Sequence, residues 1–356
     1  MALSMTTNAY SEHSMGIPGN LLTTAMAVMP HKDPDRALET ALGLDIPFWP
    51  QLPLYSYYED MYVQAAEHFP GIILDTENRR LEFSTQKFLE EVEETMHHFQ
   101  EPEYFDISPG YSTVYHRFLE LDLAERPAIR GQLEGPVSFG FNIQDRDEDR
   151  PILFNDTVRP FLLEFMAQRV NVQLSRLKQR NENAFMFVDE PGLEFIFNAM
   201  SGYGDVQGRQ DLEYFFSLIE RPRGIHLCGN PDWDFLLRQD LDVLSLDVFS
   251  NGERFTAYTR SIQEFLERGG TLIWGVVPTN AEPFEKQTLD TLQQTLEGLW
   301  DRLAAKGIDR DLLLSRSLLS PATCCLVNPD GTRTVEEAFR RIQTLSQRLR
   351  EKYNLA

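Results

Sequence analysis

The chain is poor in cysteine and in positive charge and has no long apolar run; each shortage narrows what it can be. Its three cysteines are Cys228, Cys324 and Cys325, the last two adjacent. That leaves no disulfide framework and suits a reducing, cytoplasmic setting. Lysine and arginine number 33 against 55 acidic residues, a formal net charge of −22. Nucleic acid, whose phosphates require a basic footprint, is not an expected partner. No apolar run approaches the roughly 20 residues that span a bilayer, so no membrane partner is expected either. Residues 1–20 lack the basic region and continuous apolar stretch of a secretory signal and read as a flexible polar arm. Internal repeats and low-complexity tracts are missing too, and no linker divides residues 21–356.

What is present alternates. Apolar runs at 21–29, 46–52, 128–136, 185–191, 224–228, 242–247, 271–278 and 313–321 read as eight strands. Helical periodicity fills most intervals, including 156–179, 254–268, 285–305 and 333–352. Asp33 and Pro34 mark a helix start as cap and first-turn residue. Between the second and third strands lies an excursion over 70–127. There G-I-I-L-D and L-E-F-S flank a polar turn as in a hairpin, and helical stretches follow at 84–100 and 112–123. Strands alternating with helices predict an α/β fold, a single (β/α)8 TIM barrel over 21–356. The hairpin-and-helix layer is inserted between strands 2 and 3.

In such a barrel, functional residues sit where strands end. His226 and Cys228 end the fifth strand two residues apart, the spacing that puts side chains on one face. Asp189 ends the fourth strand, Asp247 ends the sixth, and Cys324 follows the eighth, so every cysteine falls at one rim. Imidazole, thiolate and carboxylate are ligands that zinc takes, and His226, Cys228, Cys324 and Asp247 form a candidate Zn2+ site. A ligand set with this much negative charge keeps a bound thiol ionised and nucleophilic, which points to alkyl transfer to sulfur. An open position would alternatively activate water for hydrolysis. Each feature also has a plain structural reading. His226 and Cys228 can be strand packing, and Asp247 can cap the loop beginning S-N-G. Asp189-Glu190-Pro191 can start a helix. Trp49 and Trp274 can be core, or rim platforms for a flat corrinoid or aromatic ligand. His31 reads equally as a loop hydrogen-bonder or a site residue.

The segments M-P-H-K-D-P (29–34), W-P-Q-L-P (49–53), E-G-P-V-S (134–138), V-D-E-P (188–191), H-L-C-G-N-P-D-W (226–233) and W-G-V-V-P-T (274–279) occur in a telling order. Together they resemble the catalytic barrel of cobalamin-independent methionine synthase, especially its short single-barrel core forms. The resemblance covers nearly all of the chain after residue 21. The wider superfamily includes uroporphyrinogen decarboxylase and corrinoid-dependent methyltransferases. The resemblance implies that His226, Cys228 and Cys324 bind zinc and that Asp247 stands where the family has a glutamate ligand. It also implies that Asp189 holds the amino group of homocysteine. S-P-A-T-C-C-L is one residue longer than the family's P-x-C-G-L; matching C-G-L selects Cys324 as ligand, with Cys325 the runner-up.

Three positions depart from the family pattern. Ala27-Val28 replaces Gly-Ser, Gln51 replaces a glutamate that contacts the amine, and Asn280 falls near the histidine that protonates departing folate. An amine leaving from methylfolate needs that proton, whereas a Co(I) corrinoid does not. The expected activity is therefore zinc-dependent methyl transfer to a thiol, homocysteine being the first candidate. The expected donor is a methylated corrinoid protein, with Gln51, Asp189 and Trp274 at the substrate. One alternative is a metal-free, uroporphyrinogen decarboxylase-like lyase, for which Arg130 alone stands near a strand to clamp carboxylates. The other is a non-catalytic thiol- or metal-binding barrel.

Overall fold

Alternation within short runs sets the two faces of the central sheet. The computed structural model describes residues 17–196 and 203–355; residues 1–16 of the expected arm lie outside the described residues. Its first strands are β1 (Ile72–Asp75), β2 (Arg80–Phe83), β3 (Arg130–Glu134), β4 (Gln144–Asp145) and β5 (Arg150–Pro151). They are followed by β6 (Phe185–Asp189), β7 (Arg223–Leu227), β8 (Val243–Asp247), β9 (Thr271–Val277) and β10 (Ser317–Pro321). β1 and β2 pair antiparallel as the expected hairpin, and β4 and β5 extend it. The other six form one parallel sheet in the order β10-β9-β8-β7-β6-β3. The fold is thus α/β with a parallel central sheet.

Alternate residues of a strand face opposite ways. One face of this sheet carries Leu133, Met186, Val188, Ile225, Leu244, Leu246, Leu272 and Trp274, all buried in the larger apolar core. Helices Val158–Lys178 and Leu289–Ala304 pack on that side. The opposite face has an apolar floor of Phe185, Phe187, Val243, Ile273 and Leu318, joined by Ile17, Met26 and Ile46. Nearer the strand ends this same face turns polar. Register sets Glu134 beside Asp189, Asp189 beside His226, and His226 beside Ser245. Neighbouring strands lie about 4.8 Å apart, so four strand ends present one row of polar side chains.

The expected first and second strands are reduced to isolated parallel bridges, Thr23–Leu319, Val28–Gln51 and Phe48–Arg130. Pro47 and Pro50 remove two ladder donors from the second run. In the first, the Thr23 amide donates to Asp45 Oδ2 at 2.8 Å instead of to a strand. The eighth run is half helix: Arg310–Ser315 is helical under an Asp309 cap, and only β10 is strand. The expected helix 254–268 is divided into Val248–Phe255 and Thr259–Glu267, because the Asp247 side chain caps a helix directly after β8. Helix Pro34–Leu42 starts as expected, with the Asp33 side chain accepting from Asp35 and Arg36 amides.

The inserted layer includes helices Thr85–His97 and Thr113–Leu119 beside the hairpin. Aromatic side chains fasten it to the main body. Phe69 meets Phe165 edge-on at 5.1 Å, and Phe88 meets Phe161 at 5.5 Å. Such pairs add about 0.5–1.5 kcal/mol each beyond the area they bury. Among the described residues, no helix is long and apolar enough to cross a membrane.

Candidate metal centre

His226 takes the inward parity of β7 and is 4% exposed. Its Nδ1 lies 3.0 Å from Ser245 Oγ on β8, and its Nε2 lies 3.0 Å from Cys228 Sγ. In the tautomer that carries its proton on Nδ1, the ring donates to Ser245 Oγ and the Nε2 lone pair faces the thiol. Burial, followed by the neighbouring Arg130 charge, lowers the imidazole pKa to about 3, so the ring is neutral at physiological pH. Neutrality is what ligation of a metal requires.

The Cys228 thiol is pushed well above its ordinary value by burial, then by Cys324, Asp189, Asp247 and Glu134. Cys324 is pushed up to about 11, by burial and then by Asp189. These shifts mean that imidazole, two thiols and several carboxyls share one neighbourhood. Cys324 is exposed, and its thiol still feels the Asp189 charge. Cys325 is buried, and its thiol has Asn280 Oδ1 at 3.1 Å and Val327 O at 3.4 Å as acceptors. Asp247 Oδ1 accepts from the Ser250 amide at 3.0 Å, capping the helix that follows, while Cys228 still feels its charge.

His226 and Cys228 are therefore in direct contact, with Cys324 and Asp247 within electrostatic reach of Cys228. Among the described residues, no three His, Cys, Asp or Glu side chains are drawn together tightly enough to hold a metal ion. The donor set fits zinc in kind. It offers a neutral imidazole oriented by a hydroxyl, and thiols that a nearby cation would ionise.

Beside this centre stand carboxyls that the metal reading leaves unused. Burial lifts Asp189 to about 7 against the opposing pull of Arg130. Arg130 makes no hydrogen bond to it. Its Nε donates to Thr24 Oγ1 at 3.2 Å, its Nη1 to Gln132 Oε1 at 3.0 Å, and its Nη2 to Ala25 O. Its guanidinium also lies over the Phe48 and Phe187 rings, 4.5 Å from each centroid. Glu190 has a structural task. It accepts from the Val137 amide at 3.1 Å, the Ser138 amide at 2.8 Å and the Ser138 hydroxyl at 2.6 Å. It thus caps the neighbouring helix Pro136–Asn142 rather than one of its own.

Glu134 was not among the residues expected at the site. It is fully buried at the end of β3, and its acidity is suppressed by burial, then by Asp189 and Glu190. The signal for it was present in R-G-Q-L-E, where Arg130, Gln132 and Glu134 alternate with small or apolar residues and so share one face. Gln51 is also fully buried. Its Nε2 donates to Gln64 Oε1 at 2.8 Å, and Gln64 Nε2 is in turn fixed by Glu59 Oε2 and Tyr111 O, each at 3.2 Å.

The expectation that Trp274 lines a ligand site is not met. It has the outward parity of β9, is fully buried, donates to Ser317 Oγ at 2.8 Å and packs edge-on against Phe255 and Trp300. Trp49 is likewise core, with Nε1 donating to Gln173 Oε1 at 3.0 Å. His31 is buried, its Nε2 3.3 Å from Glu336 Oε1.

No family model matches the chain, and no curated protein matches it. Among solved structures it is similar to the "Structure of GH10 from Paenibacillus barcinonensis" at 11% identity, over 85% of this chain and 84% of that one, with a TM-score of 0.29. A likeness this weak transfers neither a fold nor an activity.

Proposed function

We propose that the chain is a zinc-dependent thiol methyltransferase of the methionine synthase kind, on a closed (β/α)8 barrel over residues 21–356. Three parallel bridges support closure, since they link 21–29 to β10, 21–29 to 46–52, and 46–52 to β3. The observation that carries the metal reading is the His226 ring, aimed by Ser245 so that Nε2 meets Cys228 Sγ. His226, Cys228 and Cys324 would hold the ion, with Asp247 adding the oxygen not used as a cap. Bound there, zinc would keep an incoming thiol ionised near neutral pH.

The remaining steps belong to the chain's own residues. Ser245 holds the imidazole in one orientation, and Phe187 and Ile273 close the floor beneath the centre against water. Asp189, at the level of His226, orients the substrate's polar end. Asn280 is engaged by the Cys325 thiol and offers no acid to a departing amine. That favours a donor leaving without a proton, a methylated corrinoid protein, over methylfolate. Homocysteine is the first candidate acceptor, and the cytoplasm the setting. A carboxylate-clamping lyase fits less well, because the N–H donors of Arg130 are already directed at Thr24, Gln132 and Ala25. The test is turnover of zinc-loaded protein with homocysteine and either methylcobalamin or methyltetrahydrofolate. Methionine should form with methylcobalamin; formation only with methyltetrahydrofolate reverses the donor. Thiol binding without turnover from either donor, corrinoid-bound or free, selects the non-catalytic alternative.

A further inference from the structure

The end of the sheet where the strands begin carries a feature of its own. Ser346 Oγ donates to Leu21 O at 2.6 Å, and the Leu21 amide donates to Ser317 O at the first residue of β10. The last helix, Arg333–Tyr353, is thereby tied at the level where β10 starts, the opposite end of the sheet from His226. On this helix Gln343, Gln347 and Glu351 recur every four residues and Arg350 falls three beyond Gln347, so the four share a face. With Asp45 and Leu355 they line a cavity of about 470 Å³, within the size range of small-molecule sites.

The charges of this lining are placed but not used up. Arg350 Nε is buried and has no hydrogen-bond partner, and the side chain enters no ion pair among the described residues. Other basic side chains of the same helix are engaged: Arg340 pairs with Glu337 at 2.8 Å, Arg348 with Asp290 at 2.6 Å and Lys352 with Glu297 at 2.6 Å. The two acids of the lining spend one oxygen each. Asp45 Oδ2 accepts from the Thr23 amide at 2.8 Å and from its hydroxyl at 2.7 Å, and Glu351 Oε1 accepts from Gln347 Nε2 at 3.1 Å. Oδ1 of Asp45 and Oε2 of Glu351 have no partner among the described residues.

We propose that this cavity is a ligand site for a free amino acid with an apolar side chain, its carboxylate held by Arg350 and its ammonium by Asp45 and Glu351. The fork of N–H donors on arginine matches a carboxylate. An ammonium has three N–H donors and no acceptor, the complement of carboxylate oxygens. A phosphate or a plain carboxylate would meet one cation and two anions, and a plain amine would sit beside an unneutralised guanidinium. A ligand carrying both charges answers the whole lining, and Leu355 supplies an apolar wall for its side chain. The cavity stands apart from the metal centre, so the assignment does not rest on the thiol-transfer reading.

Calorimetry of the full chain with L-leucine, isocaproate and isoamylamine tests it, since the last two are leucine without its amine or its carboxylate. Wild type should bind about one leucine per chain, at least about 10-fold more tightly than either analogue, and leucine should raise the Tm. Arg350→Gln should weaken leucine binding by about 10- to 100-fold. Arg350→Lys should weaken it less, because the charge stays and the fork is lost. Glu351→Gln should weaken leucine binding without weakening isocaproate. Ligand-free Arg350→Gln should melt as wild type does and keep its zinc content, because Nε has no bond to lose; a merely structural Arg350 would lower the melting temperature instead. Isocaproate or inorganic phosphate bound as tightly as leucine, and weakened by Arg350→Gln, overturns the proposal in favour of a plain anion site. Leucine binding that survives Arg350→Gln but not Cys228→Ser belongs to the metal centre and overturns it as well. So does a wild type that binds no leucine.

Discussion

Replacing Ser245 by alanine tests whether the imidazole is aimed at a metal. Ser245 and His226 are register partners, their side chains 3.0 Å apart, with Ser245 fully buried and His226 4% exposed. Alanine removes one oxygen and leaves the ring Nδ1 without its partner. An unpaired buried polar group costs about 1–3 kcal/mol, and a chain of this size loses roughly 1–2 °C in Tm per kcal/mol. The ring then loses the partner that orients it, and deleting such an outer partner typically lowers metal affinity about 10- to 100-fold. Chelator competition measures the affinity, and a thermal scan of metal-free protein measures the stability. Stoichiometry at saturating zinc should remain that of wild type, because Nε2 itself is retained. Cys228→Ser, which deletes a donor atom, should lower the stoichiometry. A Ser245→Ala protein that melts lower but binds zinc within twofold of wild type would mean that His226 is a packing residue.

Cys324→Ser should lose most of its zinc while Cys325→Ser keeps it, since the Cys325 thiol is committed to Asn280 and Val327; elemental analysis of both variants decides. The reverse pattern would move the ligand by one residue. His31 is held below its ordinary pKa by burial, which outweighs the opposing pull of Glu336. Its contribution to stability is complete above the unfolded-state pKa of about 6.5 and is lost as pH falls, because the unfolded chain then binds the proton more readily. Urea melts at pH 7 and pH 5 should show wild type losing more stability than His31→Asn, by at most about 1.4 kcal/mol per pH unit. Equal losses would remove His31 from the acid response.

The sequence declared those elements whose signals are local. The Asp33–Pro34 helix start, the 72–83 hairpin and the parallel runs from 130 to 277 each follow from capping chemistry or apolar patterning. Elements set by competition between neighbours were less legible. Asp247 lies where a strand end, a metal ligand and a helix cap are all plausible, and the observed cap starts a helix several residues earlier than periodicity suggests. The leucines at 312–314 suit strand or helix equally; the Asp309 cap tips them to helix. Trp274 and Glu134 share a lesson about parity. A strand end makes a rim only for residues whose parity turns them inward. Counting in twos from Thr271 turns Trp274 into the helical layer, and counting from Arg130 turns Glu134 toward the site. The contact of His226 with Cys228 was readable from their spacing, whereas the hydroxyl that aims the ring arrives from β8 through tertiary register alone.

The central claim is a single zinc held by His226, Cys228 and Cys324, and metal content measures it most directly. Purified wild type and the double variant Cys228→Ser/Cys324→Ser are analysed for zinc, with circular dichroism as the check on folding. The account predicts about one zinc per chain in wild type and almost none in a folded double variant, since a hydroxyl is a far weaker zinc ligand than a thiolate. Stoichiometric zinc persisting in the folded double variant would contradict it.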